Sequence, residues 1–261
     1  MRTDHRSEKG KHRQENLLKR CVKGQQRGSL VKGLSIRILY MAVPKNIFQT
    51  FRTGDLPWIT RFYISRMKKK NPGWRYRFYD DKKILTFFEK EFPPQYLKAY
   101  KMLTIGAAKA DFFRYAVLYR YGGVYLDIDS YVKTPFDEFL NDDDEFIVTN
   151  EGNPGLYCQW ALISAKNHPF LKRALEKVVD NIETHRFPHD VHRTTGPTVY
   201  TDAVNEVLTE QPETPHRRLG TDFNGHLKFK YKLGRIFLYG KKSEHWKKKQ
   251  RSQDIIKPAE E

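Results

Sequence analysis

The stretch Tyr121–Asp129 reads YGGVYLDID, and the fold prediction starts from it. Its two glycines follow Thr104–Tyr121, a run of small and aromatic residues at helical spacing, and glycine best adopts the left-handed conformation that ends a helix. The apolar run Val124–Ile128 then suits a short central strand. Because side chains alternate along a strand, Tyr125 and the two aspartates are predicted to lie on one face.

The two aspartates, Asp127 and Asp129, predict a metal site. Carboxylates spaced like this at the end of a buried strand would repel each other unless a cation or hydrogen-bond donors lay between them. Oxygen ligands suit Mg²⁺ or Mn²⁺, which take one or two protein carboxylates and complete their shells with water and substrate phosphates. A bound diphosphate is therefore implied. An ordinary aspartate pair capping a strand end is the alternative, because this short motif also occurs by chance.

Outward from this stretch, strand patterns and helix patterns alternate along the chain. This order predicts an α/β fold, with a mainly parallel central sheet and helices on both faces. The first helix is expected to carry Trp58, Ile59, Phe62, Tyr63 and Met67 on one side. The predicted strands are 43–51, 74–79, 124–128, 146–149 and 156–164, and the predicted helices begin near 58, 81, 104, 169 and 197.

Asp111 and Arg114 lie three residues apart and so share one face of the helix that precedes the central strand. A pair with this spacing is usually a surface salt bridge. The other positions of this helix are small, aromatic or aliphatic, however, which favours a place near a cleft where the pair could contact sugar hydroxyls. The residues alone leave both interpretations open.

The segment DFFRY at 111–115, followed by YGGVYLDID at 121–129, resembles the D-x-x-R-Y and Y-G-G-x-Y-x-D-x-D region of the glycosyltransferases with a DXD sugar-binding region. This family includes fungal initiating α-1,6-mannosyltransferases, inositol phosphorylceramide mannosyltransferases and bacterial polysaccharide enzymes, with clostridial glucosylating toxins more distantly similar. The resemblance extends from about residue 43 to about 246 through VPKNIFQT at 43–50, NPGW at 71–74, HPF at 168–170 and TGP at 195–197.

The resemblance implies a GT-A type nucleotide-sugar-binding fold and transfer that retains the anomeric configuration. It implies that Asp127 and Asp129 hold Mn²⁺ or Mg²⁺ and the diphosphate of a UDP- or GDP-linked donor. Asp111 and Arg114 would contact the donor sugar. The expected reaction moves a hexose or N-acetylhexosamine to a glycan or lipid-linked acceptor in cell-surface polysaccharide synthesis, by front-face attack with the departing diphosphate as base.

The same family resemblance adds an expectation for each of four further residues. Tyr125, on the face of the two aspartates, is a candidate for donor binding. Phe48 matches a position near the nucleotide base, with a core phenylalanine as the equal alternative. His245 is carried over as a metal ligand, with a structural histidine as the alternative. Gln159 departs from the family pattern, because an asparagine is expected there.

The net charge of +17 is concentrated at the two ends of the chain. Residues 1–40 hold 11 Lys and Arg against 3 Asp and Glu, and residues 226–261 hold 11 against 4, which gives +8 and +7. We predict a basic flexible leader at 1–40, a catalytic domain at 41–246 and a basic, polar tail at 247–261. The ends suit an anionic membrane surface, with solubilising tails as an equal alternative.

A cytoplasmic location, with peripheral attachment to the inner face of a membrane as an option, is expected from the first residues and the cysteines. Residues 30–43 are too short and too charged to span a bilayer, and residues 1–29 lack the apolar run of a secretory signal. Cys21 and Cys158 are isolated and form no disulfide framework.

Two other classes of protein are alternatives. Asp127-Ile128-Asp129-Ser130 after an apolar strand also resembles the nucleophile motif of haloacid-dehalogenase-type phosphatases, but that motif normally opens its domain, and here more than 80 residues of patterned sequence precede it. The basic ends and the 14% aromatic content would suit a nucleic-acid-binding protein. The aromatic residues lie in the nearly neutral body, however, so no nucleic-acid partner is expected.

Overall fold

The computed structural model describes residues 43–231, 238, 250 and 252–257, so the predicted leader 1–40, part of the predicted tail and His245 lie outside the described residues. No helix in the described part is both long enough and apolar enough to cross a bilayer. The strands are β1 (Asn46–Thr50), β2 (Arg75–Tyr79), β3 (Gly123–Leu126), β4 (Tyr131–Val132), β5 (Phe146–Thr149), β6 (Ala161–Ser164), β7 (Arg217–Leu219) and β8 (Leu227–Lys228). The helices are α1 (Trp58–Lys70), α2 (Asp81–Glu91), α3 (Pro94–Met102), α4 (Gly106–Tyr121), α5 (Phe136–Phe139), α6 (Pro169–Glu183), α7 (Val191–Thr194), α8 (Pro197–Glu210) and the short turn α9 (Thr221–Asn224).

Six of the strands form one sheet in the order β2-β1-β3-β6-β5-β7. β1 runs parallel to β2 and β3, β5 runs parallel to β7, and β6 is antiparallel to β3 and to β5. Five strands therefore share one direction and β6 is reversed, which confirms the predicted mainly parallel sheet. In such sheets ligands bind beyond the carboxyl ends of the parallel strands. The DXD sequence follows β3 at that edge.

Apolar side chains cover both faces of this sheet. Phe48 and Tyr125 point to one face, where α2, α3, α4, α6 and α8 pack. Ile47 and Val124, their neighbours in the same strands, point to the other face, where α1 and α5 contribute side chains. Strands buried on both faces need apolar residues at successive positions, as β3 has. The predicted arrangement of helices on both faces is confirmed.

Local sequence signals explain where the helices begin and end. Asp80 Oδ1 accepts a hydrogen bond from Lys83 N at 2.9 Å and caps α2. Proline occupies the first turn of α6 and α8, where a missing N–H costs nothing. Gly122, with a φ of 62°, ends α4, and Gly123, with a φ of 122°, begins β3. These signals act within a few residues, so the sequence alone predicts them.

The five apolar residues predicted on one side of α1 span about half of the helix circumference, which is wider than the surface that one core covers. Ile59, Tyr63 and Met67 pack inward, but Trp58 and Phe62 point to solvent and are 63% and 48% exposed. The core therefore covers only part of this apolar side.

Part of the predicted tail packs against the body. Ile255 and Ile256 are buried, and Thr104 N donates to the backbone oxygen of Ile255 at 2.8 Å. Ile256 forms an antiparallel bridge with Leu103, at the end of α3. The packed body therefore continues beyond residue 246.

Candidate active site

The two aspartates of the DXD sequence lie in a turn, residues 127–130, that directly follows β3. Asp127 N donates to the backbone oxygen of Trp160 at 2.8 Å, which extends the pairing of β3 with β6 by one residue. Ser130 N then donates to the backbone oxygen of Asp127 at 2.9 Å and closes the turn. Tyr231 N donates to the backbone oxygen of Asp129 at 2.9 Å. The position of Asp129 is thus set by this DXD turn and not by strand alternation.

Arg114 connects helix α4 to the DXD turn. Its Nη2 lies 3.1 Å from Asp111 Oδ1 and 2.8 Å from Asp127 Oδ1, and its Nη1 donates to the backbone oxygen of Gln159 at 2.7 Å. Arg114 and Asp111 are only 4% and 5% exposed, so the alternative of a surface salt bridge is excluded. Removing one partner from a buried ion pair of this kind leaves an uncompensated charge and costs about 3–5 kcal/mol.

Further hydrogen bonds hold the carboxylate of Asp111. Gln159 Nε2 donates to its Oδ1 at 3.2 Å, and Thr195 Oγ1 donates to its Oδ2 at 3.2 Å. The Tyr115 hydroxyl donates to Gln159 Oε1 at 2.6 Å. From the sequence alone, Gln159 is only a departure from the family pattern, and Tyr115 has no predicted role. Thr195 lies in the TGP segment, which was the one signal that could have linked it to the site.

Two residues predicted to bind the donor are fully buried. The Tyr125 hydroxyl donates to Asp127 Oδ1 at 3.2 Å, and its ring centroid lies 4.9 Å from the guanidinium carbon of Arg114. Tyr125 therefore orients these two side chains and presents no surface to a ligand. Phe48 stacks on Tyr121 with a centroid distance of 6.2 Å and has no exposed surface, which favours the core interpretation over contact with a nucleotide base.

Asp129 provides the test of whether a cation fits. It is buried, and its Oδ2 has no hydrogen-bond partner among the residues that the structure describes. Burial and the charge of Asp127 raise the pKa of Asp129 to about 7. Burial also raises the pKa of Asp127. A divalent cation held by both carboxylates would give the unpaired oxygen a partner and offset the repulsion, so the residues present fit Mn²⁺ or Mg²⁺.

Among the residues that the structure describes, the site contains more negative than positive charge. The carboxylates of Asp111 and Asp127 contact the buried guanidinium of Arg114, and Asp129 follows in the DXD turn. Burial raises the pKa of Asp111 to about 7, and the charge of Arg114 opposes that rise. Lys230 lies close enough for its charge to lower the pKa of Asp127 and of Asp129. The sequence had not singled out Lys230, which follows Asp127 by about 100 residues.

No group of three or more His, Cys, Asp and Glu side chains converges to hold a metal ion in residues 43–231 or in the later described positions. The predicted ligand His245 lies outside the described residues. Mg²⁺ and similar ions are typically bound through one or two carboxylates, with water and substrate phosphates as the other ligands. The two aspartates of the DXD turn match that pattern.

Comparisons with known proteins show which family this sequence resembles. Residues 59–147 match the family described as "Glycosyltransferase sugar-binding region containing DXD motif". An uncharacterized glycosyltransferase of Acanthamoeba polyphaga mimivirus is 30% identical, over 65% of this chain and 68% of that protein. The initiation-specific alpha-1,6-mannosyltransferase of Candida albicans is 28% identical, over 66% of this chain and 55% of that protein. Inositol phosphoceramide mannosyltransferase 1 of Schizosaccharomyces pombe is 27% identical, over 52% and 43%.

The solved structure of the PaToxG glycosyltransferase has the same fold, with a TM-score of 0.53 and 20% identity over 67% of this chain and 72% of that chain. The fold is therefore an α/β fold of the GT-A type. The chain belongs to the family of glycosyltransferases with a DXD sugar-binding region. It spans about half the length of the two fungal enzymes.

The two other classes are not supported. The match of residues 59–147, which include Asp127 and Asp129, to a glycosyltransferase family disfavours a phosphatase of the haloacid-dehalogenase type. Many of the aromatic residues that suggested nucleic-acid binding are buried in the core of the body, away from any nucleic acid. Family membership identifies a transferase enzyme instead.

Proposed function

We propose that the chain is a metal-dependent glycosyltransferase that retains anomeric configuration and moves a hexose or N-acetylhexosamine from a UDP- or GDP-linked donor to a glycan or lipid-linked acceptor. The observation that carries the proposal is the arrangement at the DXD turn. A buried guanidinium contacts Asp127, and beside it Asp129 has a buried oxygen with no hydrogen-bond partner among the described residues. Two of the relatives are named as mannosyltransferases, so mannose is the first donor sugar to test.

Asp127 and Asp129 would hold the Mn²⁺ or Mg²⁺ ion. When bound, the ion supplies positive charge that offsets the charge developing on the departing diphosphate. The residues of the chain prepare this position, because Arg114 and Tyr125 both donate to Oδ1 of Asp127 and leave its second oxygen for a ligand. His245 is kept in the proposal as a further metal ligand, on the family resemblance.

The donor sugar is assigned to the side of the site formed by Asp111 and Arg114. Gln159 and Thr195 hold the carboxylate of Asp111, so its position is fixed before a donor binds. Arg114 contacts both Asp111 and Asp127, which joins the sugar subsite to the diphosphate subsite through one side chain. A displacement of about 1 Å at such a junction can cost about 10²-fold in rate.

Retention of configuration is proposed to occur by front-face attack. A double displacement would need a free carboxylate nucleophile, but Asp111 is paired with Arg114, and Asp127 and Asp129 are both assigned to the ion. The acceptor hydroxyl would bond to the anomeric carbon as the bond to the diphosphate breaks, and the departing diphosphate would take the hydroxyl proton. Lys230, whose charge acts on both DXD carboxylates, would help to stabilise the leaving group.

Peripheral attachment to the cytoplasmic face of a membrane and a role in cell-surface polysaccharide synthesis complete the proposal. The support for attachment is the +8 and +7 at the two ends of the chain, since anionic lipid attracts each nearby Lys or Arg by about 1 kcal/mol.

The test is a screen of UDP- and GDP-linked hexoses and N-acetylhexosamines with Mn²⁺, followed by proton NMR of the product. We expect transfer from one donor, with the anomeric configuration unchanged. Asp127→Asn should lower transfer by at least about 10²-fold, because the charge that holds the ion is lost. Asp202→Asn, an exposed aspartate on α8, is the matched control and should transfer at the original rate. An inverted product, or an Asp127→Asn variant as active as its control, would contradict the proposal.

A further inference from the structure

The outer face of α1 exposes two large aromatic side chains. Trp58 is 63% exposed and Phe62 is 48% exposed, and they lie four residues apart, one above the other on the helix. Within the part of the chain that the structure describes, four large apolar side chains are exposed, and these two share one helix face. Exposed apolar groups that lie together mark a surface that binds a partner or a membrane.

Cations flank this aromatic pair. The helix carries five Lys and Arg and no acidic residue, in the sequence WITRFYISRMKKK. At about 100° per residue, Lys69 lies between the two aromatic side chains, Arg61 and Lys68 lie on one side of them and Arg66 lies on the other. All four of these cations are exposed, namely Arg61, Arg66, Lys68 and Lys69. An aromatic centre with a basic rim is typical of helices that lie in a membrane interface.

A depression that is open to solvent lies beside the aromatic pair. It has a volume of about 400 Å³ and is lined by Arg61, Ile64, Ser65, Lys68 and Lys69. Its polar groups are three cations and a hydroxyl, which suit the phosphate and carboxylate groups of lipid head groups. The depression and the aromatic pair lie on the same outer side of α1, so one bilayer surface could contact both.

The inner face of α1 fixes this surface relative to the active site. Thr60 Oγ1 is hydrogen-bonded to the Tyr231 hydroxyl at 2.7 Å, and Tyr63 stacks on the Tyr231 ring with a centroid distance of 4.1 Å. Tyr231 N in turn donates to the backbone oxygen of Asp129. Tyr231 therefore joins the inner face of α1 to the DXD turn, and the outer face lies on the far side of the helix, about 10–12 Å further away.

We propose that the outer face of α1 docks on an anionic lipid bilayer, with Trp58 and Phe62 at the level of the head groups and Arg61, Lys68 and Lys69 against their phosphates and carboxylates. The aromatic pair favours a membrane over a nucleic acid, because exposed aromatic side chains with cations around them suit a lipid interface. This docking stands apart from the transferase activity and from the basic ends. Its consequence is that only α1 and Tyr231 separate the DXD turn from the surface that would carry a lipid-linked acceptor.

The experiment is co-sedimentation of the full 261-residue chain with phosphatidylcholine vesicles, with and without phosphatidylserine. We expect binding only when phosphatidylserine is present. Trp58→Ser with Phe62→Ser, and Phe62→Ser alone, should weaken the partition, by at least about tenfold for the double variant. The control is Leu85→Ser on α2, which replaces an apolar side chain that is also exposed, on the opposite face of the sheet.

A second pair of variants tests the charges. Arg61→Gln with Lys69→Gln should weaken binding to phosphatidylserine vesicles by about fivefold for each cation removed. Lys82→Gln with Lys90→Gln removes the same charge from the exposed surface of α2 and should leave binding close to that of the original chain. Because both variants keep the basic ends, a difference between them reports the outer face of α1.

Three results would overturn the proposal. The first is α1 variants that bind vesicles as their α2 controls do. The second is equal binding to neutral and anionic vesicles. The third is a chain that does not bind vesicles but binds single-stranded RNA, with an affinity that the α1 variants lower. Donor hydrolysis without vesicles and the melting temperature, measured on every variant, separate a failure of docking from a failure of the transferase site.

Discussion

At the scale of single residues, Asp129 combines a structural cost with a functional role. Its carboxylate is buried beside Asp127, and its Oδ2 has no partner among the described residues. An uncompensated buried charge opposes folding, so such an arrangement is retained where a ligand uses it. Asp129 Oδ2 should therefore lower the stability of the ligand-free protein and raise the stability of its complex with the ion.

Asp129→Asn should separate these two effects. Without ligand, the melting temperature should stay equal or rise, because a neutral isostere removes the repulsion between the carboxylates of Asp129 and Asp127. Affinity for a nucleoside diphosphate with Mn²⁺, measured by calorimetry, should fall by at least about 10²-fold. Asp142→Asn, at an exposed aspartate, should change neither quantity. A variant with a lower melting temperature and unchanged affinity would show that Asp129 has a structural role only.

His168 makes stability depend on pH. Its Nδ1 accepts from Phe170 N at 3.3 Å and its Nε2 donates to the backbone oxygen of Pro215 at 3.0 Å, which defines the neutral ring. Burial lowers the pKa of His168 to about 4 from its ordinary 6.5. The unfolded chain therefore takes up a proton at higher pH than the folded chain does, and the stability contributed by the neutral ring is complete above about pH 6.5.

We predict that this contribution is lost as the pH falls from about 6.5 to about 4, and that it amounts to about 2–3 kcal/mol. His168→Asn keeps an acceptor at the helix start but cannot titrate, so its urea unfolding free energy should fall less over this range. His185→Asn, at an exposed histidine, should keep the original dependence. If the unfolding free energy of His168→Asn and that of the original chain fall equally with pH, this role of His168 is excluded.

At the scale of elements, the step from α4 to β3 places the DXD turn. Gly123 has a φ of 122°, and a Cβ atom on it would lie 2.6 Å from the backbone oxygen of Asn46 in β1. A Cβ on Gly122 would lie 2.8 Å from the backbone nitrogen of Lys166. Only glycine allows α4 to end and β3 to pair with β1 within two residues.

Gly123→Ala should destabilise the fold by about 2–4 kcal/mol, because β1 and β3 must separate and the new residue adopts a strained φ. Nucleoside-diphosphate binding should weaken as well, since β3 positions the DXD turn. Gly106→Ala, at the start of α4 with nothing within 4 Å of the added Cβ, should instead stabilise by about 0.5–1 kcal/mol. Equal melting temperatures for the two variants would contradict this account.

At the scale of the whole molecule, ligand binding should be visible as stability. Among the residues that the structure describes, Asp111, Asp127 and Asp129 carry more charge than Arg114 and Lys230 offset, so we expect the ion and the nucleotide to bind as a unit. A ligand that binds only the folded state at about 100 times its dissociation constant adds about 2.7 kcal/mol.

We therefore predict that Mn²⁺ with UDP or GDP raises the melting temperature by about 5–10 °C, the shift expected for that gain in a chain of this size. Either component alone should give a smaller shift, and excess chelator should abolish the joint shift. The exposed control variant Asp202→Asn should respond as the original chain does. A shift that persists in chelator would mean that the nucleotide binds without the ion.

The sequence by itself determined the alternating elements, the helix caps and the DXD signature. Each depends on residues within a few positions of one another, so local periodicity and local hydrogen bonding are sufficient. Asp80 at its helix cap and Gly122 at its helix end are examples. The mainly parallel sheet also followed, because alternation of strands and helices leaves few other arrangements.

Only the tertiary structure decided which side chains meet at the site and which face of a helix is covered. Arg114 reaches Asp127 and the backbone of Gln159, which follow it by 13 and 45 residues, and no local pattern encodes either contact. Phe48 became a core residue, and Trp58 and Phe62 on α1 became exposed, although all three are aromatic. The physical reason is that burial depends on what packs against a residue from elements distant in sequence, and an apolar side chain records only that it could be buried.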